Sequence, residues 1–189
     1  MFASLGAYGH LYPMMPLALA CADAGHEAVI ASGSPFLGRL PLPTVPGYPP
    51  NLELDWAIQE ARRRHPDLHD QDFSMAMFAD VTAESVAPTM IEQCERVRPD
   101  LVIYEAMNTG AGVAASVLGI PAAAFAILLA SSFYGSLHAA TVGYQRSMWL
   151  QRGRTPPAGN GLLAAVLINP APSTLRQASA GETRTIGQR

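Results

Sequence analysis

Leu101-Val102-Ile103-Tyr104, opened by Arg98-Pro99-Asp100, is a continuous apolar run with no polar alternation. A strand of that kind is covered on both faces, as in a parallel sheet flanked by helices. The rest of the chain supplies the partners that such a sheet needs. Phe2 to Leu5 ends in glycine and leads to a helical pattern from Pro13 to Ala24, where Leu17, Ala18, Cys21 and Ala24 share a face and Gly25 is placed to take a left-handed cap. His26 to Ala31 reads as a strand, and the passage from Leu40 to Pro50, rich in proline, as a loop with an edge strand. Helical stripes follow over Glu53 to Arg64 and over Phe73 to Val97, the second with a kink or break expected at Pro88. After the Leu101 strand come a small-residue helix from Gly110 to Leu118 capped by Gly119, and a buried strand from Pro121 to Leu129. A helix from Tyr134 to Leu150, a loop from Arg152 to Gly161 and a strand from Leu163 to Ile168 complete the pattern. Strands separated by helices predict an α/β domain: a Rossmann-like parallel sheet with helices on both faces.

At 189 residues the chain fits a single domain with a real core. Its charged fraction of 14% and net charge of −3 give no footprint for nucleic acid or an acidic membrane. Arg62-Arg63-Arg64 is a local exception, read as a solvated helix end. Cys21 and Cys94 sit in apolar helical patterns without a secretory signal, which predicts reduced, buried thiols and a cytoplasmic location. No Asp, Glu or Arg falls between Glu105 and Arg146, yet Gly119-Ile120-Pro121 interrupts that stretch, so a buried helix and strand are expected there instead of a membrane span.

In a parallel sheet the carboxyl ends of all strands share one edge, where open α/β sheets place their ligands. His10, on the loop expected after the first strand, and Glu105, after the Leu101 strand, are both brought to that edge. A carboxylate accepting from one ring nitrogen fixes the tautomer and stabilises the imidazolium formed when the other nitrogen removes a proton. From spacing alone the alternative stays open that His10 caps a helix and Glu105 is a surface loop residue. Gly6-Ala7-Tyr8-Gly9-His10 fits neither G-x-G-x-x-G nor the phosphate loop, which needs a lysine this chain lacks. His65 and His69 with Asp67, Asp70 and Asp72 have a metal-like spacing, but Pro66 argues for a solvated acidic turn. His138 reads as a core or pocket-lining residue, and His26 as structural. Met75, Met77 and Phe78 on one helix, with Phe36, Met107, Phe133 and Tyr134 at loop edges, are candidates either for a large apolar pocket or for plain core.

Gly9-His10-x-x-Pro13-x-x-Pro16-Leu17-Ala18, continuing to Ala24-Gly25-His26-Glu27-Ala28-Val29, resembles the N-terminal signature of nucleotide-sugar-dependent glycosyltransferases of the GT-B fold, especially bacterial enzymes acting on macrolides and related natural products. Pro99 to Glu105, followed by Gly119-Ile120-Pro121-Ala122, is similar to a second block of that family, and Ile168 to Leu175 to the segment before its interdomain linker. The resemblance implies one GT-B half: an acceptor-binding domain over residues 1–175, a linker or tail over 176–189, and a donor domain outside this sequence. The opening strand is short beside those of relatives. It further implies that His10 deprotonates an acceptor hydroxyl for inverting attack on a sugar, with Glu105 in support where many relatives carry Asp. Tyr8, Tyr12, Phe36, Met75, Phe78, Met107, Asn108, Phe133 and Tyr134 form the candidate acceptor-binding set. No metal and no resident cofactor are implied, the nucleotide diphosphate sugar being a co-substrate held by the other half. The expected partners are a hydrophobic small molecule and either a donor domain or a second copy; alone, the chain is expected to be inactive. Two alternatives remain open, an acceptor subunit of a split glycosyltransferase and a non-catalytic small-molecule-binding protein.

Overall fold

The computed structural model describes residues 1–49, 52, 54–128, 131–158, 163–171 and 185–187. In chain order these form β1 (Phe2–Ala3), α1 (Tyr8–Leu11), α2 (Met15–Asp23), β2 (Ile30–Ser32), β3 (Thr44–Pro46), α3 (Leu54–Arg64), α4 (Asp70–Ala76), a π-helical segment (Met77–Thr82), α5 (Ala83–Val97), β4 (Val102–Glu105), α6 (Thr109–Leu118), β5 (Ala122–Phe125), α7 (Ser131–Tyr144), α8 (Arg146–Leu150), β6 (Val166–Asn169) and β7 (Thr185–Gly187). Short 3₁₀ turns at Tyr12–Met14 and Ser34–Phe36 join them.

Every strand pair is parallel, in the order β3-β2-β1-β4-β5-β6-β7. This is the doubly wound α/β architecture expected from the sequence. β1 lies beside both β2 and β4, with Phe2 opposite Ile30 and Ile103, so the winding reverses at β1. Connections leaving β1 and β4 diverge there, and a crevice opens at their carboxyl ends.

Period-2 alternation along the strands builds two cores. Ala3, Ala31, Tyr104 and Ala124 face one side with Val86, Met90, Val113 and Trp149 from the helices, while Phe2, Ile30, Ile103 and Phe125 face the other with Leu11, Met14 and Ala18. Gly25 (φ 89°) follows α2 and Gly119 (φ 73°) caps α6, both in the left-handed region as expected.

α6 is built from small residues because α5 and β4 press on it. A Cβ at Gly110 would stand 2.6 Å from Cβ of Val86 and 3.0 Å from the Ala83 carbonyl oxygen, and one at Gly112 would meet the Tyr104 ring. Gly110→Ala is therefore expected to destabilise the fold by about 1–3 kcal/mol through overpacking. Urea denaturation measures this, and an unchanged midpoint would show that α5 and α6 separate freely.

Two expectations need correcting. His10 lies in the single helical turn α1 and not on an open loop, because Ala7 takes an extended conformation and starts the turn at once. α5 runs through Pro88 without a break; the irregularity is the π-helical segment that immediately precedes Ala83. β7 falls within the segment read as tail or linker and pairs in parallel with β6, Ile186 opposite Ile168. Leu129, the expected end of the fifth strand, and residues 176–184 and 188–189 lie outside the described residues. Among the described residues no helix is long and apolar enough to cross a membrane.

Candidate active site

The reversal point of the sheet brings His10 and Glu105 together across 95 residues of sequence. His10 Nδ1 stands 2.7 Å from Glu105 Oε2. The carboxylate's other oxygen, Oε1, accepts the Met107 backbone N–H at 2.7 Å. Glu105 is wholly buried, whereas the His10 side chain keeps 22% of its surface exposed. Burial pushes the Glu105 carboxyl above the usual carboxylate range, and the opposing pull of His10 and the Met107 N–H does not cancel it. With the carboxylate as acceptor, Nδ1 carries the proton and Nε2 is left as the basic nitrogen.

His10 lines a cavity of about 590 Å³. Leu5, Gly6 and Ala7 from the β1–α1 connection form its floor beside the imidazole, and Ser34 and Pro35 enter from the turn after β2. Leu54, Ala57 and Ile58 of α3, with Leu52 before it, form one wall, and Met77, Phe78 and Thr82 of the π-helical segment another. Tyr48 closes the remaining side, its hydroxyl packed against Gly6 and Gly33. A Cβ at Gly6 or Gly33 would overlap that hydroxyl. Volume and apolar lining suit one medium-sized hydrophobic molecule.

Of the candidate acceptor-binding set, Phe78 lines this cavity and the others do not. Phe36 is buried in the core with Leu11 and Met14. Tyr8 stacks edge-on against both Phe36 and Tyr12, with ring centroids 5.1 Å apart in each pair, and both tyrosines are largely exposed. Tyr134 is buried and its hydroxyl accepts the Ile127 and Leu128 N–H groups, so its polar end holds the strand β5 exit; Phe133 packs edge-on against it. Met107 serves the site through its backbone N–H. Met75, in α4, is half-buried beside the π-helical segment. Asn108 is wholly buried, and its side-chain amide has no hydrogen-bond partner among the described residues.

Two further histidines, His65 and His138, are occupied elsewhere. His65 Nε2 is 2.8 Å from Asp80, which also meets Arg64. His138 donates from Nε2 to the Ala106 carbonyl at 2.8 Å and accepts the Leu163 N–H on Nδ1 at 3.0 Å.

A family model for the N-terminal domain of erythromycin biosynthesis protein CIII-like proteins matches residues 50–186. The chain belongs to that family. A curated relative, 3-alpha-mycarosylerythronolide B desosaminyl transferase of Saccharopolyspora erythraea, is 23% identical over 143 residues, which cover 64% of this chain and 34% of the relative. Among solved structures, the glycosyltransferase SsfS6 of Streptomyces sp. SF2575 superposes with a TM-score of 0.75 at 22% identity, over 92% of this chain and 50% of that one. Spinosyn rhamnosyltransferase SpnG in complex with spinosyn aglycone gives a TM-score of 0.72 at 17% identity, over 98% and 48%. The family and its structural neighbours are glycosyltransferases of natural-product biosynthesis, and the chain corresponds to their N-terminal domain. It spans about half the length of these solved structures and about a third of the curated relative.

Proposed function

We propose that the chain is the acceptor-binding domain of an inverting glycosyltransferase, with His10 as general base. The observation that carries this is the 2.7 Å contact between Nδ1 of His10 and the buried Glu105, placed so that the imidazole forms part of the cavity wall. In the reaction, Nε2 takes the proton of an acceptor hydroxyl while that oxygen attacks the anomeric carbon. The bond from that carbon to the nucleotide diphosphate breaks, and its electron pair leaves with the diphosphate. Glu105 holds the ring and balances the positive charge as it forms. Residues 1–175, extended by the edge strand β7, supply the acceptor side, and a donor domain of the kind that makes up the rest of the relatives' length supplies the sugar. Without that domain no transfer is expected. A hydrophobic polyketide is the substrate class favoured by the apolar walls and by the aglycone bound to SpnG.

Calorimetric titration of the chain with 3-alpha-mycarosylerythronolide B, spinosyn aglycone and thymidine diphosphate tests the division of labour. At least one macrolactone is expected to bind and the nucleotide is not. Ala57→Trp, which fills the cavity from α3, should weaken macrolactone binding at least tenfold. Tight nucleotide binding with no macrolactone binding sinks the proposal.

A further inference from the structure

The wall made by Met77, Phe78 and Thr82 depends on a helical register that does not sustain itself. In an α-helix, five residues turn through about 500°, which leaves positions 77 and 82 about 140° apart. The i→i+5 register of Met77–Thr82, in which the Ala83 N–H reaches the Phe78 carbonyl, widens the turn and narrows that angle, which brings the two positions closer to one face beside Phe78. All three then face the cavity.

Such a register loosens the helical carbonyls, and buried carbonyls need donors. Here four consecutive ones receive side-chain hydrogen bonds. Thr109 Oγ1, at the start of α6, donates to the Phe78 oxygen at 3.2 Å. Gln145 Nε2, at the end of α7, donates to the Ala79 oxygen at 3.2 Å and the Asp80 oxygen at 2.9 Å. Ser85 Oγ donates to the Val81 oxygen at 2.9 Å. On the outer side, the Asp80 carboxylate is held by Arg64 at 3.2 Å and His65 at 2.8 Å. Gln145 and Thr109 are both almost wholly buried and neither lines the cavity.

We propose that Gln145 and Thr109 are positioning residues that hold the π register and so set the shape of the acceptor cavity from behind. The claim about acceptor affinity rests on the function proposed above; the claim about the register does not. Gln145→Glu keeps the shape of the side chain but loses the N–H donors, and Thr109→Val loses the hydroxyl at equal volume. Ser116→Ala, which removes the 3.0 Å bond from Trp149 Nε1 away from the cavity, is the control for general destabilisation.

The chain, labelled with ¹³C-methyl methionine, is followed by the Met77 methyl resonance, by amide hydrogen exchange at residues 82–85, and by affinity for spinosyn aglycone and 3-alpha-mycarosylerythronolide B. Gln145→Glu and Thr109→Val are each expected to displace the Met77 resonance, speed exchange at least tenfold at residues 82–85, and weaken macrolactone binding at least fivefold. Ser116→Ala is expected to do none of these. If the Gln145 variant does not fold, Thr109→Val decides alone. A folded variant with the Met77 resonance and exchange of the parent chain overturns the proposal, as does Ser116→Ala reproducing the changes. Should the parent bind neither macrolactone while Met77 and exchange respond as stated, the positioning role stands and the acceptor reading falls.

Discussion

His10→Ala, introduced into this domain joined to a donor domain, is expected to lower kcat for sugar transfer by about 10²- to 10⁴-fold, the range lost with a general base. Acceptor KM should change little, because the walls at α3 and the π-helical segment supply most of the apolar contact. The magnitude follows from the chemistry at one atom. A neutral hydroxyl is a poor nucleophile, and on the cavity wall the imidazole is held with its Nδ1 proton on Glu105 and Nε2 free to accept. Glu105→Gln should approach the same loss. A carboxamide that donates to Nδ1 turns the imidazole to the other tautomer and cancels the basic lone pair at Nε2. Because the two residues act as one device, the double variant should be scarcely slower than either single variant. Rates measured under saturating donor, with thermal denaturation of each variant to confirm folding, decide the matter. Undiminished turnover in His10→Ala removes it as the base.

The His10–Glu105 pair is legible in the amino-acid sequence because it depends on topology. Strand ends in a parallel sheet share an edge, and the winding reverses between the strands that carry these two residues. The cavity walls are far less legible. Leu54 and Ile58 stand in the sequence as a helical stripe, yet a stripe looks the same whether it covers core or ligand. Met77 stands in the sequence as a pocket or core candidate, but Thr82, five positions on, matches it at neither the 3.6 nor the 2.0 period, and the bonds on that segment come from Thr109 and Gln145, distant in sequence. Tyr48 lies in a proline-rich passage that reads as a loop with an edge strand and marks no pocket. Conversely, Phe36 and Tyr134 are aromatic residues near strand ends, which suits a pocket and a core equally well. Burial of Phe36 with Leu11 and Met14 and the two backbone bonds to the Tyr134 hydroxyl decide for the core.

Acidification is expected to unfold the domain through His138. The imidazole is wholly buried on α7 and ties the β4–α6 connection at Ala106 to Leu163 ahead of β6. Burial lowers its pKa from 6.5 to about 4, an effect that the hydrogen bond to the Ala106 carbonyl only partly offsets. The folded value lies below the unfolded one, so between pH 6.5 and 4 the unfolded chain binds more protons. Stability is then fully present above about pH 6.5 and is lost as the pH falls toward 4. The loss amounts to about 3 kcal/mol, a large share of an ordinary domain's stability. A protonated ring also has a proton on Nδ1, where it must face the Leu163 N–H instead of accepting from it. His138→Gln offers a donor and an acceptor of similar reach without a titrating group. Urea denaturation of the parent and this variant at about pH 7.5 and about pH 4.5 separates the His138 contribution from the carboxylates, which titrate in both. The parent should lose about 2 to 3 kcal/mol more than the variant over that interval, which stops short of the folded pKa. Equal losses would mean that the proton enters elsewhere and that the ring's burial has little bearing on acid stability.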